Sequence, residues 1–129
     1  MKTNTKLILL FAVFVAFDQV AKALLPVFSC NKGIAWSIPV NAGVFYFAWT
    51  AIIAALLLAF FKTKLFNQKF PFVLIFSGAV SNLADRIRFG CVVDYIDLKF
   101  WPIFNLADVY ITLGVIFILT KFLKSNTKY

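Results

Sequence analysis

The chain has no Glu and no His among its 129 residues, and its 5 acidic residues face 13 Lys and Arg. Only 14% of the residues are charged and 63% are hydrophobic, where soluble domains average about 25% charged and about 45–50% apolar. This shortage of charge excludes an ordinary soluble domain. It defines an integral-membrane chain, a single domain over residues 1–129 at this length. Without His, zinc would have to be held by carboxylates alone or by the two thiols, and Cys30 and Cys91 fit no metal spacing. Neither a metal nor a cofactor is expected. The two cysteines read as separate core thiols, with a structural disulfide left open. The net charge of +8 does not point to nucleic acid, because Lys and Arg are spread between apolar spans rather than gathered on one face; they suit topology-setting flanks beside anionic lipid.

What is present is hydrocarbon in four runs, at about 7–25, 43–61, 70–89 and 104–123. Each is long enough to cross ~30 Å of bilayer core at ~1.5 Å per residue. The expected fold is an all-α membrane protein of four transmembrane helices. Pro26, Gly33, Pro39 and Gly43 make the first connection an irregular or short-strand loop. Ser77, Gly78, Ala79 and Ser81 are small enough to let helices approach closely. Gly90 ends the third helix, Cys91–Ile96 is β-branched and aromatic and therefore strand-like, and Trp101-Pro102 marks a break with an interfacial anchor. An even number of spans puts both termini on one side. Lys2, Lys6, Lys62, Lys64, Lys69, Lys121, Lys124 and Lys128 fall on that side, 8 of the 13 basic residues, which makes it cytoplasmic.

Four of the five acidic residues, Asp85, Asp94, Asp97 and Asp108, lie in the segment from Ser81 to Asp108, where Asn-Leu-Ala-Asp occurs twice. Counted from the cytoplasmic ends, Asp18 lies 12 residues in, Asp85 15 and Asp108 16, or ~18, ~22 and ~24 Å at ~1.5 Å per residue. Three helices thus bring carboxylates to one layer in the outer half of the bilayer, with Asp94 in the loop on that face. An ionisable group there costs about 2.5–3.5 kcal/mol on insertion scales, so each needs a reason. Asp18 and Lys22, at i and i+4, read as an ion pair. Asp85 reads as a support paired with Arg86, and Asp97 as a solvated loop charge. Asp94 and Asp108 have no basic residue at helical spacing. Asp108 opens a helix, whose dipole favours its ionised form, with Asn105 and Thr112 on its face. If Asp94 folds over that helix end, the two carboxyls share a proton and can activate a water against a carbonyl.

Five motifs in order then carry a resemblance. Asp18-Gln19-x-x-Lys22 resembles D-Q-x-x-K. Asn31-x-Gly33-x-Ala35-Trp36-Ser37 resembles N-x-G-x-A-F-S. Asn82-x-x-Asp85-Arg86 with Gly90-x-Val92-x-Asp94-Tyr95 resembles G-N-x-x-D-R-x-x-x-G-x-V-x-D-[FY], and Phe104-Asn105-x-Ala107-Asp108 resembles F-N-x-A-D. Together they resemble the bacterial lipoprotein signal peptidases, the signal peptidase II family. The resemblance implies a plasma-membrane aspartic endopeptidase with an outward active site, cutting prolipoproteins just before a diacylglyceryl-modified Cys. It implies Asp94 and Asp108 as the catalytic pair, without metal or cofactor. It implies Asn31, Asn82, Arg86 and Asn105 as substrate-positioning or supporting residues, and Asp18, Lys22 and Asp85 as residues that order the site. Ser81 departs from the family's usual Gly, Trp36 from its Phe, and a short Asp18–Asn31 interval implies a reduced extracytoplasmic β element.

Other readings compete. One is a small ion- or proton-coupled transporter using Asp18, Asp85 and Asp108 as relay groups; another is a Ser–Lys hydrolase using Ser81 or Ser37 with Lys22. Residues 7–25 also have the outline of a signal peptide, with Ala21-Lys22-Ala23 as a cleavage site, and Val27-Phe28-Ser29-Cys30 has that of a lipidation box.

Overall fold

The computed structural model describes residues 3–33, 38–63 and 66–126. Ala35, Trp36 and Ser37 of the second motif, and Lys2, Lys64 and Lys128 of the basic flanks, lie outside the described residues. Four helices, α1 (Thr3–Leu24), α2 (Ala42–Lys62), α3 (Phe66–Phe89) and α4 (Leu106–Asn126), are accompanied by two short strands, β1 (Ser29–Asn31) between α1 and α2 and β2 (Val92–Asp94) between α3 and α4. All four helices are long and apolar enough to cross a membrane. The chain is a multi-pass helical membrane protein with a small two-stranded sheet.

α3 is the axis of the bundle. Its Phe72, Val73, Leu74, Ile75, Ser77 and Ser81 are buried; α3 packs chiefly on α4 and α1, and Phe72 meets Phe60 of α2 edge to face. The α3–α4 approach depends on Gly78: a Cβ there would collide with the backbone carbonyl of Ala107 and with Ile111. α2 has no buried residue. In water its apolar surface would be untenable, but beside lipid tails it needs no partner, because the bilayer is the solvent and the helix satisfies its own backbone.

At one end of the bundle, β1 and β2 pair antiparallel, with Ser29 opposite Asp94 and Asn31 opposite Val92. Gly90, at φ +71°, lets the chain leave α3 in the left-handed conformation and enter β2. This pairing corrects the reading of the cysteines as separate thiols. Cys30 and Cys91 form a disulfide, with Cα atoms 5.4 Å apart across a sequence separation of 61. No local spacing could announce it, because strand pairing alone brings the two together. A bonded Cys30 also removes the lipidation-box reading. Beyond β2, an antiparallel bridge between Ile96 and Phe104 closes the loop that carries Trp101 and Pro102.

Candidate active site

The polar interior lies where α1, α3, β2 and the start of α4 converge, and it is built around Lys22. The Lys22 ammonium lies 2.7 Å from Asp18 Oδ2 and 2.7 Å from Asp85 Oδ2, and it donates to Asn82 Oδ1 at 3.0 Å. One turn of α1 supplies Asp18 and Lys22, and one turn of α3 supplies Asn82 and Asp85, so helical spacing presents each pair on a single face. Asp18 and Asp85 are fully buried. Two carboxylates on one ammonium leave an excess negative charge, which is met by hydrogen bonds. Asp18 accepts from Ser81 Oγ at 2.6 Å, Tyr95 Oη at 2.8 Å and the Ala107 amide at 3.1 Å. Asp85 accepts from Gln19 Nε2 at 2.9 Å and the Val93 amide at 3.1 Å.

This arrangement corrects the pairing of Asp85 with Arg86. Adjacent residues of a helix point in different directions, so Asp85 turns to Lys22 while Arg86 donates to the Gly33 carbonyl at 2.5 Å and stacks 4.6 Å over the Phe45 ring. The expected Asp18–Lys22 pair is present. It also removes Lys22 as a base for Ser81, since an ammonium held between two carboxylates has no lone pair to offer. Ser81 donates its proton to Asp18 instead. Asp97 pairs with Lys99 at 2.6 Å at the surface, and the Lys99 side-chain and backbone N–H donors hold its carboxyl below the usual range.

Lys22 connects to the remaining carboxyls through two amides. Asn82 accepts from Lys22 and donates to Asp108 Oδ1 at 3.0 Å. Asn105 Nδ2 faces Asp94 Oδ1 at 2.9 Å, Asn82 Oδ1 at 3.0 Å and the Val93 carbonyl at 3.2 Å. Asn105 also caps α4: its Oδ1 accepts from the Asp108 amide at 2.9 Å, while its own amide donates to Asp108 Oδ2 at 3.2 Å. This is a reciprocal capping box, with Asp in the position usually held by Glu.

Asp94 and Asp108 both line one cleft of about 490 Å³, together with Asn31, Asn82 and Arg86. Its other wall is apolar, with Phe45, Trp49 and Ile52 of α2 among the lining residues. Burial, and then the charge of Asp108, push the Asp94 carboxyl up to about 7, against the opposing effects of Lys22 and Asn105. Asp94 therefore holds a proton at pH values where an ordinary carboxyl has lost it. Of the sequence-predicted residues, Asp18, Lys22, Asn82, Asp85, Asp94, Asn105 and Asp108 fall into one bonded network. Arg86 and Asn31 stand at its rim, where Asn31 Oδ1 accepts from the Gly33 amide at 2.9 Å. Sequence reasoning gave no role to Gln19 or to the hydroxyl of Tyr95, and offered that of Ser81 only as a nucleophile paired with Lys22. Gln19 and Tyr95 do lie inside the motifs, but nothing local shows what their polar atoms reach across the bundle.

Four spans around a carboxylate-lined cleft with one apolar wall define a polytopic membrane protein of hydrolase-like site geometry. The family model "Signal peptidase (SPase) II" matches residues 10–124, and the chain belongs to that peptidase family. The lipoprotein signal peptidase of Moorella thermoacetica is 38% identical over 89 residues, 67% of this chain and 59% of that protein. The chain thus spans about three-fifths of that relative's length. The lipoprotein signal peptidase of Pelotomaculum thermopropionicum is 31% identical over 146 aligned positions, covering 95% of this chain and 94% of that protein. A bacterial membrane enzyme solved by the in meso method at 2.3 Å superposes with a TM-score of 0.81 at 34% identity, over 97% of this chain and 92% of that one. The transporter alternative gains no support. Its relay groups would be strung along a path, whereas here they are bonded into one cluster.

Proposed function

We propose that this chain is an aspartic endopeptidase of the bacterial plasma membrane that removes signal peptides from prolipoproteins, cutting before the diacylglyceryl-modified cysteine. The observation that carries the reading is that Asp94 and Asp108 line one cleft and share Asn105 as a partner. In this reading Asp94 is the protonated member and Asp108 the ionised one. Asp108 takes a proton from water, the hydroxide oxygen bonds to the scissile carbonyl carbon, and Asp94 gives its proton to the carbonyl oxygen. The tetrahedral diol collapses when Asp108 passes its proton to the leaving nitrogen and the C–N bond breaks. The diol proton returns to Asp94. The products are a new carboxyl on the signal peptide and a free amine on the lipidated cysteine, and the dyad is regenerated.

Asn82 and Asn105 orient the dyad, Arg86 and Asn31 position the peptide at the rim, and Asp18, Lys22 and Asp85 brace the three helices. The lipid on the substrate fixes the depth of the scissile bond, a proximity effect, and the apolar wall from α2 suits that hydrocarbon. The basic flanks support an orientation with both termini in the cytoplasm and the cleft on the extracytoplasmic face.

The test is incubation of the purified full chain with a diacylglyceryl lipopeptide, with products read by mass spectrometry. Asp94→Asn and Asp108→Asn each lower cleavage by at least ~10³-fold, within the range for general acid–base groups. Full cleavage by either variant removes the dyad assignment. Loss on Ser81→Ala with both Asp variants active would restore the Ser–Lys reading.

A further inference from the structure

The first turn of α4 positions Asp108, and each of its free amides has a partner. The Asp108 amide is served by Asn105 within the cap. The Ala107 amide reaches Asp18 on α1. The Leu106 amide, the first of the helix, donates to the Tyr95 hydroxyl at 3.1 Å. Tyr95 follows Asp94 directly in the chain, and its own backbone amide donates to the Phe104 carbonyl at 3.1 Å. One residue therefore grips the chain on both sides of Asn105, by its backbone before the helix and by its side chain at the first helical residue. The hydroxyl proton goes to Asp18 Oδ1 at 2.8 Å, the same oxygen that accepts from the Ala107 amide. Tyr95 is buried. Burial, and the hydrogen bond to Asp18, push its phenol well above the usual range, so it stays a donor at any working pH.

We infer that Tyr95 is a positioning residue for the proposed dyad: its hydroxyl ties the strand end carrying Asp94 to the helix turn carrying Asp108 and so fixes the separation of the two carboxyls. This inference rests on the dyad reading. In this chain it asks for an oxygen at a position where the motif D-[FY] admits either aromatic residue, because here the Tyr95 hydroxyl accepts from the Leu106 amide and donates to Asp18. Without that oxygen, the Leu106 amide loses its acceptor, Asp18 loses one donor, and the turn bearing Asp108 is held to β2 by fewer bonds. A displacement of about 1 Å in reacting groups can cost about 10²-fold in rate. The groups facing Asp94 are Asp108 from α4, Lys22 from α1, and Asp85 and Arg86 from α3. Moving Asp108 away weakens the repulsion that keeps a proton on Asp94, so the alkaline limb of the rate profile moves to lower pH.

The experiment measures kcat and KM against pH for the full chain on the diacylglyceryl lipopeptide. Tyr95→Phe removes the oxygen. Leu106→Pro removes the other partner: proline is favoured at the first helical position, and the residue before it is the capping Asn105, whose position is normally extended rather than helical. This second variant keeps the tie testable if Tyr95→Phe fails to fold. Ser81→Ala is the control, since it deletes a different hydroxyl from Asp18 and leaves α4 untouched. Both tie variants are expected to lower kcat by about 10- to 100-fold with KM within about twofold, and to move the alkaline limb down. Ser81→Ala is expected to lower only the melting temperature. A wild-type kcat and pH profile in the folded tie variants overturns the inference, and so does an equal shift in Ser81→Ala, which would assign the effect to Asp18. Asp94→Asn and Asp108→Asn run alongside. If both are inactive while the tie variants behave as wild type, only the role of Tyr95 falls; if either is active, the dyad reading itself falls.

Discussion

Lys22 on α1 meets Asp85 on α3 at 2.7 Å inside the bundle, with both side chains buried. Truncating one partner of a buried ion pair leaves an uncompensated charge, at a cost of about 3–5 kcal/mol. Lys22→Met strands two carboxylates, Asp18 and Asp85, and deprives Asn82 Oδ1 of its ammonium donor. The expected result is a fall in melting temperature corresponding to that range, with loss of cleavage. Lys22→Arg does not restore either property, because a planar guanidinium cannot copy the three directions of the ammonium. Thermal unfolding in detergent checks the first claim and lipopeptide cleavage the second.

The ionisation of Asp94 sets the alkaline limb of activity. The proposed mechanism needs one proton on the pair, and the Asp94 carboxyl is raised to about 7. As pH rises through that value both carboxyls become charged and the general acid is lost. In the wild-type chain kcat/KM should therefore fall above about pH 7. A profile flat to pH 9 would show that Asp94 does not supply the proton.

The same shift has a consequence for stability. A carboxyl whose folded pKa lies above its unfolded value stabilises the fold fully below the unfolded pKa, and that contribution is lost as pH rises through the folded one. For Asp94 the window runs from 3.8, its ordinary value, to about 7. Asp94→Asn cannot ionise, so the inactive variant should melt above the wild type at pH 8 and gain least at pH 4. Melting curves at the two pH values decide it.

Gly78 controls how closely α4 lies on α3. Gly78→Ala places a methyl against the Ala107 carbonyl and Ile111, and overpacking of this kind costs about 1–3 kcal/mol. Ala107 precedes Asp108, so the displacement acts at the dyad. Activity should fall more than stability does, most of it in kcat, by kinetics and thermal unfolding of the same preparation.

The four spans were legible because lipid imposes one rule, some twenty apolar residues per crossing. The meeting of Asp18, Asp85 and Asp108 was legible for a related reason: helical rise converts residue number into depth. Direction around the helix axis was not legible. Depth alone could not say that Asp85 turns to Lys22 rather than to neighbouring Arg86, since that depends on which helices are neighbours. The Cys30–Cys91 bond was hidden for the same reason. The departure at Ser81 looked like a tolerated small residue, yet its hydroxyl donates to Asp18 and accepts from Gln19 at 2.9 Å. Motif spacing placed the carboxylates, and three-dimensional neighbours assigned the hydroxyl groups.

The disulfide separates substrate cover from the dyad. β2 is held without it: the Val93 amide donates to Asp85, Asn105 donates to the Val93 carbonyl, and Tyr95 donates to Asp18. β1 is three residues long and, among the described residues, pairs with β2 alone, and a short two-stranded ribbon is marginal on its own. Its anchors outside that pairing include the Phe28 amide on the Asp94 carbonyl at 3.0 Å and the Arg86 bond to Gly33. Opening the Cys30–Cys91 bond should therefore loosen the edge of the cleft that carries Asn31 and leave Asp94 and Asp108 where they are. In the Cys30→Ser, Cys91→Ser double variant, KM for the lipopeptide should rise about 5- to 10-fold, equivalent to roughly 1 kcal/mol of lost binding, with kcat within about twofold. Treating the wild type with reductant should reproduce that rise and leave the double variant unaffected, with intact mass confirming that the thiols have formed. A fall in kcat at constant KM would instead mean that the dyad depends on β1, and that the bonds from Asp85, Asn105 and Tyr95 do not hold β2 by themselves.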